Sequence, residues 1–229
     1  WLRETGFRWD DKELDLRECG TINAGGVFAK RRLMLGAKAV FIPKRGCLTW
    51  QTSALATLSS RPSSDADGQS GGKRTSKVDG RDVIKDAIAR LGEAPGHVRL
   101  VTCLLFEKSL GPKSRWAPYI ATLQPQEGGV PLLWPADAAE KLLVGTELAG
   151  HCAWRGGQLR EEWRSWVAPL SALLWDRFPA GEFSVGGYLD AASLVSSRAF
   201  ETNLREDLRR EDSSPGMVPL ADLFNHHTA

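Results

Sequence analysis

Three kinds of pattern follow one another along this chain, and their order limits the fold. Thr21 to Thr49 reads as β structure. Gly25 and Gly26 suit a tight backbone turn, and Val27 and Phe28 then begin a short strand. Gly36 opens another turn. Ala39, Val40, Phe41 and Ile42 form a compact apolar run stopped by Pro43, as buried strands often do. From Arg81 the period becomes helical: Val83, Ile84, Ala87, Ile88 and Leu91 share one face. Val98–Leu110 gives a second helix closed by Gly111, and Pro135–Val144 a third with proline in its first turn. Gln158–Phe178 reads as a long helix carrying Trp163, Trp166 and Trp175, kinked or split at Pro169. Tyr188–Phe200 is a further helix, and Val218–Phe224 reads as a strand entering a turn. At the start, Trp1, Leu2 and Gly6 predict a short helix ended by glycine. The order predicts an α+β protein in which a mostly helical insertion interrupts a β-rich domain. The predicted boundaries are 1–52, 53–185 and 186–229.

Residues 59–80 are rich in Ser, Gly and Asp and nearly devoid of apolar side chains, so they predict a disordered surface loop. Its GGKR lacks the Ser or Thr of a phosphate loop, and its DADG lacks the later ligands of a calcium loop. The chain begins at Trp1 and stops at Ala229, and reads as a fragment cut at both ends. Its compartment is left open between cytoplasm or nucleus and a plastid stroma.

Charge narrows the possible partners. Thirty Lys and Arg against 28 Asp and Glu leave a formal net charge of +2. That near-balance argues against a dedicated nucleic-acid coat protein, which needs clustered positive charge. Lys30-Arg31-Arg32 reads as a solvated face. No apolar run approaches the roughly 18 residues of a membrane span. Cys19, Cys47, Cys103 and Cys152 are scattered without a CxxC pair, as expected of thiols in a reducing compartment. His97, His151, His226 and His227 show no metal-binding spacing, so no metal is expected. No GxGxxG is present, so a Rossmann dinucleotide site is unsupported.

Two stretches stand out as chemical candidates. In Pro219-Leu220-Ala221-Asp222-Leu223-Phe224-Asn225-His226-His227, three polar residues follow an apolar segment. Asp222 and Asn225 suit helix capping; with His226 they equally suit a ligand site at a strand end. Ser197-Arg198 ends an apolar helix. The arginine there is either a solvated end residue favoured by the helix dipole or a fork for a ligand carboxylate.

At these residues the chain resembles the SET-domain methyltransferases of the Rubisco large-subunit methyltransferase class. The resemblance rests on an ordered set: Trp1-Leu2 to Gly6, Gly26-Val27-Phe28-Ala29, Leu35-Gly36, Ile42-Pro43, and Leu48-Thr49. It continues through Leu104-Leu105-Phe106-Glu107, Gly111, Ser114, Trp116, Tyr119-Ile120, Leu123, Trp134, Leu142-Leu143 and Gly145-Thr146. It closes with Ser197-Arg198-Ala199-Phe200 and the segment Val218 to His226. The last two are the most specific.

The resemblance implies a split SET domain, truncated at its C-terminus, acting as an S-adenosyl-L-methionine-dependent protein-lysine N-methyltransferase. A non-catalytic SET-like interaction module and a protein-histidine methyltransferase are the alternatives. It implies a protein partner presenting a lysine, and no nucleic acid, membrane or metal. Asn225 and His226 would hold the cofactor, Arg198 would pair with its carboxylate, and Gly25 and Gly26 would approach it through their backbone. Asn23 stands where relatives often carry an acid. Backbone carbonyls near Ser197, Arg198 and Asp222 would accept from the target amine. The family's tyrosine beside the reacting methyl would fall beyond Ala229, so this chain by itself is expected to be inactive.

Overall fold

The structure, a computed structural model, describes residues 1–19, 24–60, 80–123, 129–173, 181–202 and 214–224. Most of the predicted loop 59–80 therefore lies outside the described residues. So do Asn23, Asn225, His226 and Trp175.

Three small antiparallel pairs carry the β structure. Strands β1 (Arg8–Trp9) and β4 (Val40–Phe41) pair at one margin, with Trp9 opposite Val40. Strands β2 (Leu14–Cys19) and β3 (Ala24–Ala29) pair along their whole length. Strands β5 (Ala199–Thr202) and β6 (Ser214–Met217) form the third. The fold is α+β, as the order of patterns predicts.

Several expectations need correction. Gly25 and Gly26 lie within β3, opposite Glu18 and Arg17, and not in a turn. The need for glycine at 26 comes from Phe28, two residues along on the same face. A Cβ at Gly26 would stand 3.1 Å from the Phe28 ring, which also carries the Arg17 guanidinium 4.2 Å from its centroid. The apolar run at 39–42 yields only the two residues of β4, and Phe41 is exposed. Trp1–Gly6 makes hydrogen-bonded turns that end at a left-handed Gly6 (φ +98°), short of a full helix. Gly36 does occupy a turn, with φ +86°.

The helical portion comprises α1 (Ala54–Ser60), α2 (Gly80–Gly92), α3 (Gly96–Ser109), α4 (Ala117–Ile120), α5 (Ala136–Leu142), α6 (Leu148–Glu162), α7 (Ala168–Leu173) and α8 (Val185–Arg198). Helix α3 is the centre. Val98, Leu100, Val101, Cys103, Leu104, Leu105 and Phe106 cover its whole circumference and are all buried. A helix apolar all round must be enclosed. Helix α8 packs on it and buries Tyr188, Ala191, Ala192 and Val195, the spacing of one helical face. Ser184 caps α8, its Oγ accepting the Gly187 N–H at 3.1 Å.

The long helix expected at 158–178 begins earlier, at Leu148, and is interrupted by a π-helical turn over Trp163–Val167. Pro169 supplies the reason. Its ring lacks an N–H and crowds the carbonyl one turn back, so the chain widens just upstream, where Ala168 N–H reaches Trp163 O. Helix α8 stops at Arg198, so Ala199 and Phe200 belong to β5. The strand expected at 218–224 ends at Met217, and Ala221–Leu223 is a single 3₁₀ turn.

The buried Glu107 ties α3 to the start of α1 and to the loop before α4. Its Oε1 accepts Ser53 Oγ–H at 2.9 Å and Ala54 N–H at 2.8 Å, at the start of α1. Its Oε2 accepts Ser114 Oγ–H at 2.5 Å. Replacing Glu107 by Ala removes three acceptor contacts and strands buried donors. We expect a loss of about 3 kcal/mol or more, seen as a lower urea midpoint at unchanged slope. Glu107→Gln, which retains one carbonyl oxygen, should lose less.

Candidate functional site

The site is assembled by backbone pairing. Leu48 and Met217 exchange both of their backbone hydrogen bonds at 2.9 Å, and Met217 also lies opposite Ala199 in the β5–β6 pair. Arg198 immediately precedes Ala199, and a tight turn immediately follows Met217. That turn is closed by Asp222 N–H to Val218 O, Leu223 N–H to Leu220 O and Phe224 N–H to Ala221 O. Leu220 carries it through φ +74°, a left-handed conformation that a leucine adopts only under constraint. Its side chain is buried.

Asp222 leaves this turn pointing inward, with a side chain only 1% exposed. Tyr119, at the far side of α4, donates its hydroxyl to Asp222 Oδ2 at 2.7 Å. Arg198 Nη1 stands 3.7 Å from the same oxygen. Among the described residues, Asp222 Oδ1 and Arg198 Nε are buried without a partner. Burial raises the Asp222 carboxyl above its ordinary value, while the Tyr119 hydroxyl and Arg198 act in the opposite sense. Burial, followed by the charge of Asp222, raises the Tyr119 phenol too.

Beside this cluster lies a cleft of about 370 Å³, walled by Trp1, Leu16, Pro118, Tyr119, Leu220 and Leu223. Its walls are mainly apolar, and Arg3, Thr122 and Asp222 contribute to its lining. Strand β3, with Gly25 and Gly26, packs against the 3₁₀ turn Ala221–Leu223. Strand β3 and the turn bearing Asp222 are therefore neighbours in space, while Asn225 and His226 lie outside the described residues.

The expected site residues fare unequally. Arg198 and Asp222 come together at the turn, and Gly25 and Gly26 lie in β3, the strand that packs against it. Arg198 is not the free fork expected, because Asp222 already faces one of its nitrogens. Asp222 enters through its carboxylate as well as its backbone. Ser197 turns aside: its Oγ donates to Leu194 O, and it lines a different, smaller pocket with Arg155 and Leu159. Asn23, Asn225 and His226 lie outside the described residues. Tyr119, absent from the expected site, is part of it. No local pattern marks it, since 103 residues separate it from Asp222. Among the described residues, no group of three or more His, Cys, Asp or Glu side chains converges as a metal site. No described helix is long and apolar enough to cross a membrane.

A β-rich part divided by a helical insertion, with Arg198 and Asp222 facing one another where the two parts rejoin, has the fold of a SET domain. The structure superposes on the crystal structure of the SET domain of LSMT bound to lysine and AdoHcy with a TM-score of 0.65. The match has 19% identity and covers 99% of this chain and 42% of that one. In sequence, the chain is similar to N-lysine methyltransferase SETD6 of Mus musculus, 28% identical over 229 residues. It is also 28% identical over 210 residues to N-lysine methyltransferase SETD6 of Homo sapiens. These alignments cover 99% and 90% of the chain, and 42% and 39% of the respective relatives, so the chain spans about two fifths of their length. No family model matches the chain.

The raised carboxyl of Asp222 has a testable consequence. A carboxyl group whose folded pKa exceeds its ordinary 3.8 binds its proton more readily when folded. Protonation therefore favours the native state, and this gain develops as pH falls through the raised folded value towards 3.8. Melting temperatures of wild type and Asp222→Asn should diverge in favour of wild type over that interval. Parallel curves across it would contradict the assignment.

Proposed function

We propose that the protein carrying this chain is an S-adenosylmethionine-dependent protein-lysine N-methyltransferase, and that this chain supplies the cofactor-facing part of its SET domain. The supporting observation is the extent of the likeness. Similarity to the N-lysine methyltransferase SETD6 relatives runs through 99% of the chain and is not confined to one motif.

The residues fit such a cofactor. An amino-acid nucleoside presents a carboxylate, an amine and a flat base. Arg198 Nε is a buried donor without a partner, and Asp222 Oδ1 a buried acceptor without one. At 3.7 Å, the Arg198–Asp222 contact is longer than an ordinary hydrogen bond and leaves the guanidinium capacity for a second anion. Arg198 and Asp222 would hold the amino-acid end, with Asn225 and His226 following on the same segment and the β3 backbone alongside. The bound cofactor supplies a sulfonium methyl open to in-line attack by a neutral amine.

The protein's own part is positioning and desolvation. A lysine amine has an ordinary pKa of about 10.4, and burial in an apolar channel lowers it towards the neutral, nucleophilic form. Backbone carbonyls near Ser197, Arg198 and Asp222 are the proposed acceptors for that amine. The substrate on this reading is a protein.

Calorimetry of the full-length protein with S-adenosylmethionine tests the reading. We expect a single site, and labelled methyl recovered as methyl-lysine from an acceptor protein. Arg198→Ala should weaken cofactor binding by about 10- to 100-fold, the value of a charge-assisted hydrogen bond. A full-length protein that binds no cofactor would overturn the proposal.

A further inference from the structure

We infer that Tyr119 is a positioning residue of the cofactor site: its hydroxyl, delivered by the helical insertion, aims the Asp222 carboxylate and through it the Arg198 guanidinium. The inference rests on the functional reading above and goes beyond it, since the resemblance assigns Tyr119 no role there.

Three observations carry it. First, the geometry is specific. Tyr119 is buried against the cleft, and its hydroxyl meets Asp222 Oδ2 at 2.7 Å, the shortest contact that carboxylate makes among the described residues. Second, Tyr119 and Arg198 address one oxygen, Oδ2, while Oδ1 is buried without a hydrogen-bond partner among the described residues. Without the phenol the carboxylate of Asp222, which lines the cleft, loses that hydrogen bond and is freer to rotate. Third, the turn bearing Asp222 is held in an unfavourable backbone conformation at Leu220. Such strain persists where surrounding contacts overdetermine it, and the Tyr119 bond is the side-chain contact that pins this turn from across the cleft.

A positioning role also differs from a packing role in its pH signature. The groups facing Asp222 are Tyr119 from α4 and Arg198 from the end of α8, with the Cys47 thiol acting on Tyr119. Arg3 lines the same cleft but is held by Trp9 O and Asp11 at 2.9 Å each. Asp222 is the one titratable side chain between Val218 and Phe224. The phenol stabilises the ionised carboxylate. Removing it lets Asp222 take up its proton at a higher pH, and Arg198 then loses its counter-charge under milder conditions.

The experiment is calorimetric titration of the full-length protein with S-adenosylmethionine from pH 5 to 8, for wild type, Tyr119→Phe, Asp222→Asn and the double variant. We expect Tyr119→Phe to bind about 10-fold more weakly at neutral pH. Its loss of affinity in acid should begin at a higher pH than in wild type. Asp222→Asn should be weak and lack the acid limb due to this carboxyl, and the double variant should be no weaker than Asp222→Asn alone. Wild-type affinity in Tyr119→Phe, an unmoved acid limb, or additive losses would overturn the inference while leaving the functional reading intact. Absence of binding by wild type would overturn both. Should Tyr119→Phe fail to fold, Asp222→Asn still decides: an acid limb identical to wild type removes the carboxylate, and with it Tyr119, from the site.

Discussion

The reciprocal backbone pair between Leu48 and Met217 is the constraint on which the site depends. Both residues are fully buried, so neither peptide group can fall back on water. Met217 is simultaneously opposite Ala199, which makes it the middle member of three adjacent segments. Register then does the rest. Arg198 is one residue from Ala199, and Asp222 is one short turn from Met217. Their meeting follows from strand pairing, before any side chain contributes.

The helical portion is not an appendage to that core. Helix α3 occupies the interior, and Glu107 at its end binds the start of α1 just after the N-terminal β-rich part. At the next corner, Tyr119 reaches the Asp222 turn. Each of these polar ties is made by a buried carboxylate: Glu107 joins parts of the insertion to one another, and Asp222 joins the insertion to the C-terminal segment. A buried carboxylate is costly unless its oxygens are hydrogen-bonded, so such a tie tolerates little movement at either end. Glu107 has both oxygens engaged. Among the described residues, Asp222 has only Oδ2 engaged, and its Oδ1 is buried without a partner.

The helices were the legible part of the sequence. Helices α2, α3, α5 and α8 announce themselves by period and by the prolines and glycines at their ends. What escaped had physical causes. Strand β2 alternates in Leu14-Asp15-Leu16-Arg17, but over too few residues to stand out from the charged surroundings. Gly25 and Gly26 suggest a turn because glycine usually marks one; here residue 26 is small to make room for the Phe28 ring, a contact visible only in three dimensions. The early start of α6 is masked by Gly150, Gly156 and Gly157, all poor helix formers, of which only Gly156 is buried. At the site, Arg198 and Asp222 were individually conspicuous as charges beside apolar segments. Their pairing, and the presence of Tyr119 between them, depend on chain crossings that no local pattern encodes.

Helix α8 ends at Arg198 and β5 begins at Ala199, with no residue between. The joint therefore has no slack. A helix and a strand sharing a boundary cannot be adjusted separately, so a small roll of α8 on α3 is transmitted undamped to the guanidinium and to the sheet pair that positions the opposite wall. Interior packing far from the cleft, at Tyr188 or Ala191, thereby acquires leverage over how tightly the cleft grips.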